Sequence, residues 1–172
     1  MRTLITGVAG AGKTTIVSEL RKRGYRAIDL DDCDVCIWVN KETGKEAVYN
    51  EGAGGVWIER HRWQVVVPKL IDLLDSFPET EDVFVGGKVA SVQVDEIKKI
   101  FDRMYVLKPA DAIIDQRLSK RTSNIVNFAK TKEEREALIR GRNKFEQTCI
   151  DCGMVPLDNQ GTVQEILEEI LC

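Results

Sequence analysis

Apolar and polar positions alternate along this chain in short runs and longer helical stretches. Residues 2–6 read as a strand, and residues 13–23 read as a helix that Gly24 stops. A second strand is predicted over 26–30. An irregular stretch then continues to Glu51, with a turn at Lys41-Glu42-Thr43-Gly44. Gly52-Ala53-Gly54-Gly55 punctuates the chain before a predicted helix over 56–75, which Ser76-Phe77-Pro78 ends. The continuous apolar run at 82–85 suits a strand covered on both faces. A helix over 94–101, a strand over 104–107 and a helix over 110–121, opened by Pro109, come next. After a polar stretch at 122–130, Thr131 and Glu134 form a capping box for a long helix to about Cys149. A last strand over 154–157 and a second capping box, Thr162 with Glu165, precede the final helix.

Such alternation predicts an α/β fold of three layers, a parallel sheet with helices on both faces, in one domain of residues 1–172. Pro156 has no amide hydrogen to give a ladder, so its strand is expected at an edge.

The loop between the first strand and the first helix changes the picture most. Gly7-Val8-Ala9-Gly10-Ala11-Gly12-Lys13-Thr14 fits G-x-x-x-x-G-K-[ST] in the strand–loop–helix context that gives this pattern meaning. Glycines let backbone N–H groups turn inward around phosphate oxygens, and the helix N-terminus adds partial positive charge. Gly7 to Thr15 are therefore the expected contacts of a nucleoside triphosphate. Lys13 would reach the β- and γ-phosphates, and the Thr14 hydroxyl would ligate Mg²⁺.

Composition narrows the partners. The formal net charge is −3, so no global basic field recruits nucleic acid, which is an unlikely partner. No apolar run is long enough to span a bilayer, and the first strand begins too early to leave room for a signal peptide; the expected location is the cytoplasm. Cys33-x-x-Cys36 and Cys149-x-x-Cys152 resemble a four-thiolate zinc pattern. The predicted topology places the pairs on opposite rims of the sheet, which argues for reduced thiols instead.

The carboxyl end of a parallel sheet is where ligands bind. Asp29 and Asp31 stand there, and strand alternation places them on one side. Asp29 is the candidate for the Mg²⁺ shell, and Asp31 for positioning or deprotonating an acceptor hydroxyl. Gly86 and Gly87 end the third strand, where a ligand can approach the backbone closely. Arg117 and Arg121 lie four apart on one helix and share a face; they are candidates to clamp a transferring phosphoryl group as a lid closes. Arg140 and Arg142 are candidates to return from the other side. Arg60 and Arg62, on the predicted helix over 56–75, are candidates for an acceptor carboxylate or phosphate. His61 between them reads as a surface or packing residue, and Trp38, Trp57 and Trp63 as core.

In this order the motifs resemble the shikimate kinase and nucleoside-monophosphate (adenylate) kinase branch of P-loop kinases. They are the Gly7–Thr14 loop, Asp29-x-Asp31, Gly86-Gly87, Arg117-x-x-x-Arg121 and the loop Leu157-Asp158-Asn159-Gln160-Gly161. The resemblance implies a five-stranded sheet of order 2-3-1-4-5. It also implies an acceptor-binding insertion at about 33–75, a lid at about 121–131, and adenine contacts by Asp158, Asn159 and Gln160. It implies ATP and Mg²⁺ as cofactors and transfer of the γ-phosphoryl group to a small-molecule hydroxyl or phosphate. Alternatives are a nucleotide or nucleic-acid-end kinase, and a slow ATPase acting as a switch or assembly factor. Two departures concern the acceptor. Lys88 stands where shikimate kinases usually carry a third glycine, and the Asp-Gly-Phe-Pro-Arg type segment of adenylate kinases is absent.

Overall fold

A computed structural model describes residues 1–120, 128–158 and 162–172. Its centre is a parallel sheet of β1 (Arg2–Thr6), β2 (Arg26–Asp29), β6 (Val83–Gly86), β7 (Arg103–Leu107) and β8 (Val155–Leu157). The spatial order is β2-β6-β1-β7-β8. Three further strands, β3 (Cys36–Asn40), β4 (Glu46–Ala47) and β5 (His61–Val65), intervene in the chain and build a separate antiparallel sheet of order β4-β3-β5. With these three counted, the label order is not 2-3-1-4-5. Among the five parallel strands alone, the succession is second, third, first, fourth, fifth.

Helices α1 (Lys13–Lys22), α2 (Gly55–Arg60), α3 (Val67–Asp75), α4 (Val94–Ile97), α5 (Asp111–Ser119), α6 (Lys132–Asp151) and α7 (Val163–Leu171) complete the chain. The central strand β1 is deeply enclosed: Leu4 and Ile5 have no exposed surface. Both capping boxes form. Thr131 accepts from Glu134 N while Glu134 returns to Thr131 N, and Thr162 and Glu165 do the same at α7. Pro156 lies in β8, which is an edge strand, opposite Val106.

The stretch from 31 to 75 differs most from the sequence expectation. Its irregular first part holds the β3–β4 hairpin, turned by Asn40, whose Oδ1 accepts from Glu42 N and Thr43 N, both at 3.0 Å. Gly44 supplies the positive φ, +69°, that this turn requires. The expected single helix over 56–75 is broken into α2, β5 and α3. Trp63-Gln64-Val65-Val66-Val67 is aromatic and β-branched, which favours an extended strand, and the partner is β3, with Trp38 opposite Trp63. Pro68 then restarts a helix in the first turn of α3. The expected helix over 94–101 is likewise shorter, a 3-10 turn at Ser91–Gln93 followed by α4. The inserted unit docks on α6 through Gly55. An added Cβ there would stand 2.9 Å from the Glu133 carbonyl oxygen.

Candidate functional site

The loop from Gly7 to Gly12 leaves the carboxyl end of β1 and feeds straight into α1. Gly10 and Gly12 take φ of +80° and +99°, which reverse the chain so tightly that other residues would be strained. Gly12 caps α1 without a side chain, so the first-turn amides are not claimed by a capping oxygen. Lys13 is buried, and its Nζ donates to the carbonyls of Gly7 and Val8, each at 3.0 Å. The ammonium thus spans the loop it belongs to, beside the amides that would hold phosphate. Thr14 and Thr15 are exposed at the helix start. From them a surface groove runs past Ser18 and Glu19 to Val163 and Gln164 at the start of α7.

Arg117 reaches this loop from α5. Its guanidinium donates to the carbonyls of Gly10 and Ala11, both at 3.2 Å. Arg121 lies outside the described residues, as do Asn159, Gln160 and most of the expected lid. Asp158 is exposed just after β8. Arg140 and Arg142 serve other partners. Arg140 pairs with Glu59 at 2.7 Å, and Arg142 with Asp111 at 2.8 Å and Glu146 at 3.2 Å.

The two acidic candidates do not share a strand face. β2 ends at Asp29, and Asp31 belongs to the following 3-10 turn, Leu30–Asp32. Alternation fails because the extended backbone has already ended. Asp29 is buried, and its Oδ1 accepts from Asp31 N at 3.1 Å, a capping bond that fixes the turn. Asp31 itself is exposed, in the turn that follows the carboxyl end of β2.

Gly86 and Gly87 sit beside this turn, with Gly86 opposite both Ile5 and Asp29 in the parallel ladders. A Cβ on Gly86 would overlap Val17, and one on Gly87 would lie 2.6 Å from Leu30 Cδ1. The close approach these glycines permit is therefore of chain to chain, and Gly87 N already donates to Ile5 O at 3.1 Å. Lys88 follows, partly buried, with its ammonium 5.8 Å above the Phe145 ring of α6. Desolvation, then repulsion from Lys13 and Lys41, lowers its pKa to about 8, against a smaller opposing pull from Asp31.

Arg60 and Arg62 do not lie on one helix. Arg60 closes α2 and is exposed; Arg62 stands in β5, its Nε donating to Gln64 Oε1 at 2.8 Å. Burial and the charge of Arg62 lower the pKa of Lys41, which follows β3. His61 is a packing residue: its ring stacks on Trp57 at 4.0 Å and its Nδ1 meets Trp57 O at 2.8 Å. The tryptophans form one cluster, in which Trp38 lies 5.0 Å from Trp57 and 5.3 Å from both Trp63 and Phe128. Each of these rings keeps some exposure.

Glu134, Tyr49 and Lys41 escaped sequence reasoning as site-forming residues. Glu134 is fully buried and accepts from Tyr49 Oη at 2.8 Å and Gly54 N at 3.2 Å, besides closing its own capping box. The same carboxylate therefore pins the insertion to the start of α6. Burial first, and this hydrogen bond second, push the Tyr49 phenol up to about 12. The capping-box motif was the only signal available, and it speaks for one of Glu134's two roles.

The thiols keep separate company. Cys33 Sγ donates to Asp29 O at 3.4 Å, and Cys152 Sγ to Asp95 Oδ1 at 3.6 Å. Among the described residues no helix is long and apolar enough to cross a membrane.

No protein-family profile matches the chain, and no curated protein matches it in sequence. Solved structures do match in fold. Shikimate kinase from Acinetobacter baumannii, in complex with shikimate, superposes with a TM-score of 0.62 at 19% identity, over 99% of this chain and 90% of that one. Shikimate kinase from Bacteroides thetaiotaomicron gives 0.62 at 16%, over 100% and 99%. Deoxyadenosine kinase from M. mycoides with bound dATP gives 0.54 at 18%, over 99% and 97%. The chain shares the α/β fold of these kinases.

Proposed function

We propose that this protein is a Mg·ATP-dependent phosphotransferase acting on a small acceptor. The observation that carries the reading is Lys13, a buried ammonium inside a glycine loop at an uncapped helix start, with Arg117 bonded to the same loop. Phosphoryl transfer asks a protein mainly for positioning and for positive charge around the moving group, and this arrangement supplies both. The likeness to shikimate and deoxyadenosine kinases supports it as shared fold.

In the reaction, the acceptor oxygen forms a bond to the γ-phosphorus while the bond to the β–γ bridging oxygen breaks. ADP leaves with that electron pair, and the acceptor's proton passes to the Asp31 carboxylate when the acceptor is a hydroxyl. The Asp29–Asp31 capping bond holds the base in place. Loop amides and Lys13 bind the β- and γ-oxygens, and Arg117 faces the developing charge.

The donor set suits Mg²⁺ carried by the nucleotide rather than a resident ion. Among the described residues no three His, Cys, Asp or Glu side chains gather to hold a metal. The Thr14 hydroxyl and Asp29 are the residues that would complete its shell, and the ion would neutralise phosphate charge. The partly exposed aromatic cluster around Trp38 favours, as a second reading, a nucleoside or nucleotide acceptor. The test is ADP release above the ATP-only background across a panel of hydroxy acids, sugar phosphates, nucleosides and nucleotides. Release with one acceptor class, abolished in Lys13→Ala, supports transfer. Turnover indifferent to every acceptor supports a slow ATPase instead.

A further inference from the structure

The phosphotransferase reading gives Lys13, Arg117 and Asp31 work, but it leaves Lys88 without any. Lys88 lies where three elements meet. Gly86, two residues before it, is in register with Ile5 of β1 and Asp29 of β2. Val89, just after it, donates to Thr6 Oγ1 at the root of the phosphate loop, at 3.4 Å. Phe145 of α6 forms the wall beneath the ammonium. Lys88 lies close enough to Lys13 and Asp31 for the charges of the phosphate lysine and the candidate base to act on it.

Among the described residues no carboxylate pairs with it, and Asp31 attracts it only as a minor influence. Among the described residues Lys88 takes part in no ion pair, whereas Lys22, Lys69 and Lys132 each do. Further cations stand nearby. Lys88 and Lys41 repel one another, and Lys41 and Arg62 do so in turn, against a smaller pull on Lys41 from Glu59, whose backbone carbonyl accepts from the Lys41 ammonium. Lys88 therefore feels both Lys13 of the phosphate loop and Lys41 of the insertion, and Lys41 in turn feels Arg62. ATP accounts for the charge at Lys13. A partly buried ammonium against an aromatic face, held among other cations, calls for a second anion.

We propose that Lys88 anchors an oxyanion of the acceptor, with Lys41 and Arg62 behind it. The acceptor is then a carboxylate- or phosphate-bearing molecule whose hydroxyl or phosphate faces Asp31, and a neutral sugar or free nucleoside is disfavoured. This assignment rests on the phosphotransferase reading for the word acceptor, but the anion site can be tested without turnover. The lowered basicity of Lys88 keeps it reactive near pH 8, which supplies the probe.

The intact protein is labelled with trace acetic anhydride at pH 8, and acetylation of Lys88 is read by mass spectrometry against exposed Lys22. Probes are a non-hydrolysable ATP analogue with Mg²⁺, and that complex plus inorganic phosphate, malonate or sorbitol. The analogue should protect Lys13. Phosphate or malonate should then slow Lys88 labelling by about fivefold or more, roughly as saturation of a lysine-bound anion demands, and sorbitol should not. Whichever of phosphate and malonate protects at lower concentration identifies the group. Full protection of Lys88 by the analogue alone would assign it to ATP and overturn the proposal, as would no protection by either anion. With an active acceptor in hand, Lys88→Met should raise its KM about tenfold to a hundredfold, the loss of one charge-assisted contact, and leave the KM for ATP unchanged. Lys88→Arg should recover part of the loss. An equal rise in both KM values would again overturn it. If the panel finds no acceptor and Lys13→Ala keeps its ATP turnover, the kinase reading fails while the labelling result stands.

Discussion

Replacing Lys88 by methionine should stabilise the protein at neutral pH, and the size of the gain follows from the cleft. Methionine keeps an unbranched apolar stem against Phe145 and removes the charge. Folding lowers the pKa of the amine from 10.5 to about 8, chiefly because the charged form loses water. That difference sets about 3 kcal/mol against folding at pH 7, where the amine is protonated in both states. Between the two pKa values the unfolded chain binds more protons than the folded one, so stability rises with pH and the penalty shrinks. From pH 7 to pH 9 the wild type should recover about 1 kcal/mol through this one group. The thiols of Cys36 and Cys149 act the other way. Burial holds each near about 12, so they stay protonated in the fold while the unfolded chain ionises near pH 9, and stability falls there. Both proteins carry those thiols, so the difference between them isolates Lys88. The assay is urea unfolding of wild type and Lys88→Met at pH 7, 8 and 9 without nucleotide or anions. The variant should be the more stable at pH 7, by up to about 3 kcal/mol, with the gap about 1 kcal/mol narrower at pH 9. A gap that does not change with pH would refute the reasoning, because it would mean that the Lys88 amine titrates alike in both states.

Lys13→Ala should cut acceptor-dependent turnover by about three orders of magnitude or more, with an unchanged circular dichroism spectrum. Asp31→Asn should keep nucleotide affinity and slow transfer by about two to four orders of magnitude, since the base is lost and the backbone bond to Asp29 is not. Asp29→Asn should instead shift the Mg²⁺ concentration needed for half-maximal rate, and stability should drop with it. Gly86→Ala forces a methyl into Val17 of α1 and should cost about 1–3 kcal/mol in urea unfolding while weakening ATP binding, because α1 carries Lys13. Glu134→Ala removes the carboxylate that accepts from Tyr49 Oη, Gly54 N and Thr131 N, and should cost on the order of 3 kcal/mol, with faster hydrogen exchange across residues 49–60 than across the central sheet.

The alternation of apolar runs and helices was enough to place all five parallel strands, because each is short and continuous and the inner ones are buried on both faces, as Val83–Gly86 is. The capping boxes at Thr131 and Thr162 were legible because their geometry is local, four residues satisfying two amides. The inserted sheet was not legible. β5 alternates Arg62 and Gln64 with Trp63 and Val65, too short a run to outweigh the helical pattern on either side, and pairing with β3 holds it as a strand. That error carried through to the site, since Arg60 and Arg62 belong to two different elements, the end of α2 and β5. Asp31 failed for the opposite reason. The alternation rule was sound, but the strand ended two residues earlier, when Asp29 turned its carboxylate to cap the next turn.

The cleft's charge was hidden from sequence for a more general cause. Lys13, Lys41, Arg62 and Lys88 belong to four separate segments, and nothing in the net charge of −3 hints that they converge. Motif reading finds phosphate sites because the ligand is held by one contiguous loop. An acceptor site assembled from an inserted sheet and a strand end leaves no contiguous trace. What it leaves is a local departure, a lysine in place of a glycine at position 88, whose sense depends on what stands around it. In the fold that lysine faces other cations and an aromatic wall, at an energetic cost that stability alone would not retain. Cost without structural return is a mark of function, and here it points to an acceptor that brings its own negative charge.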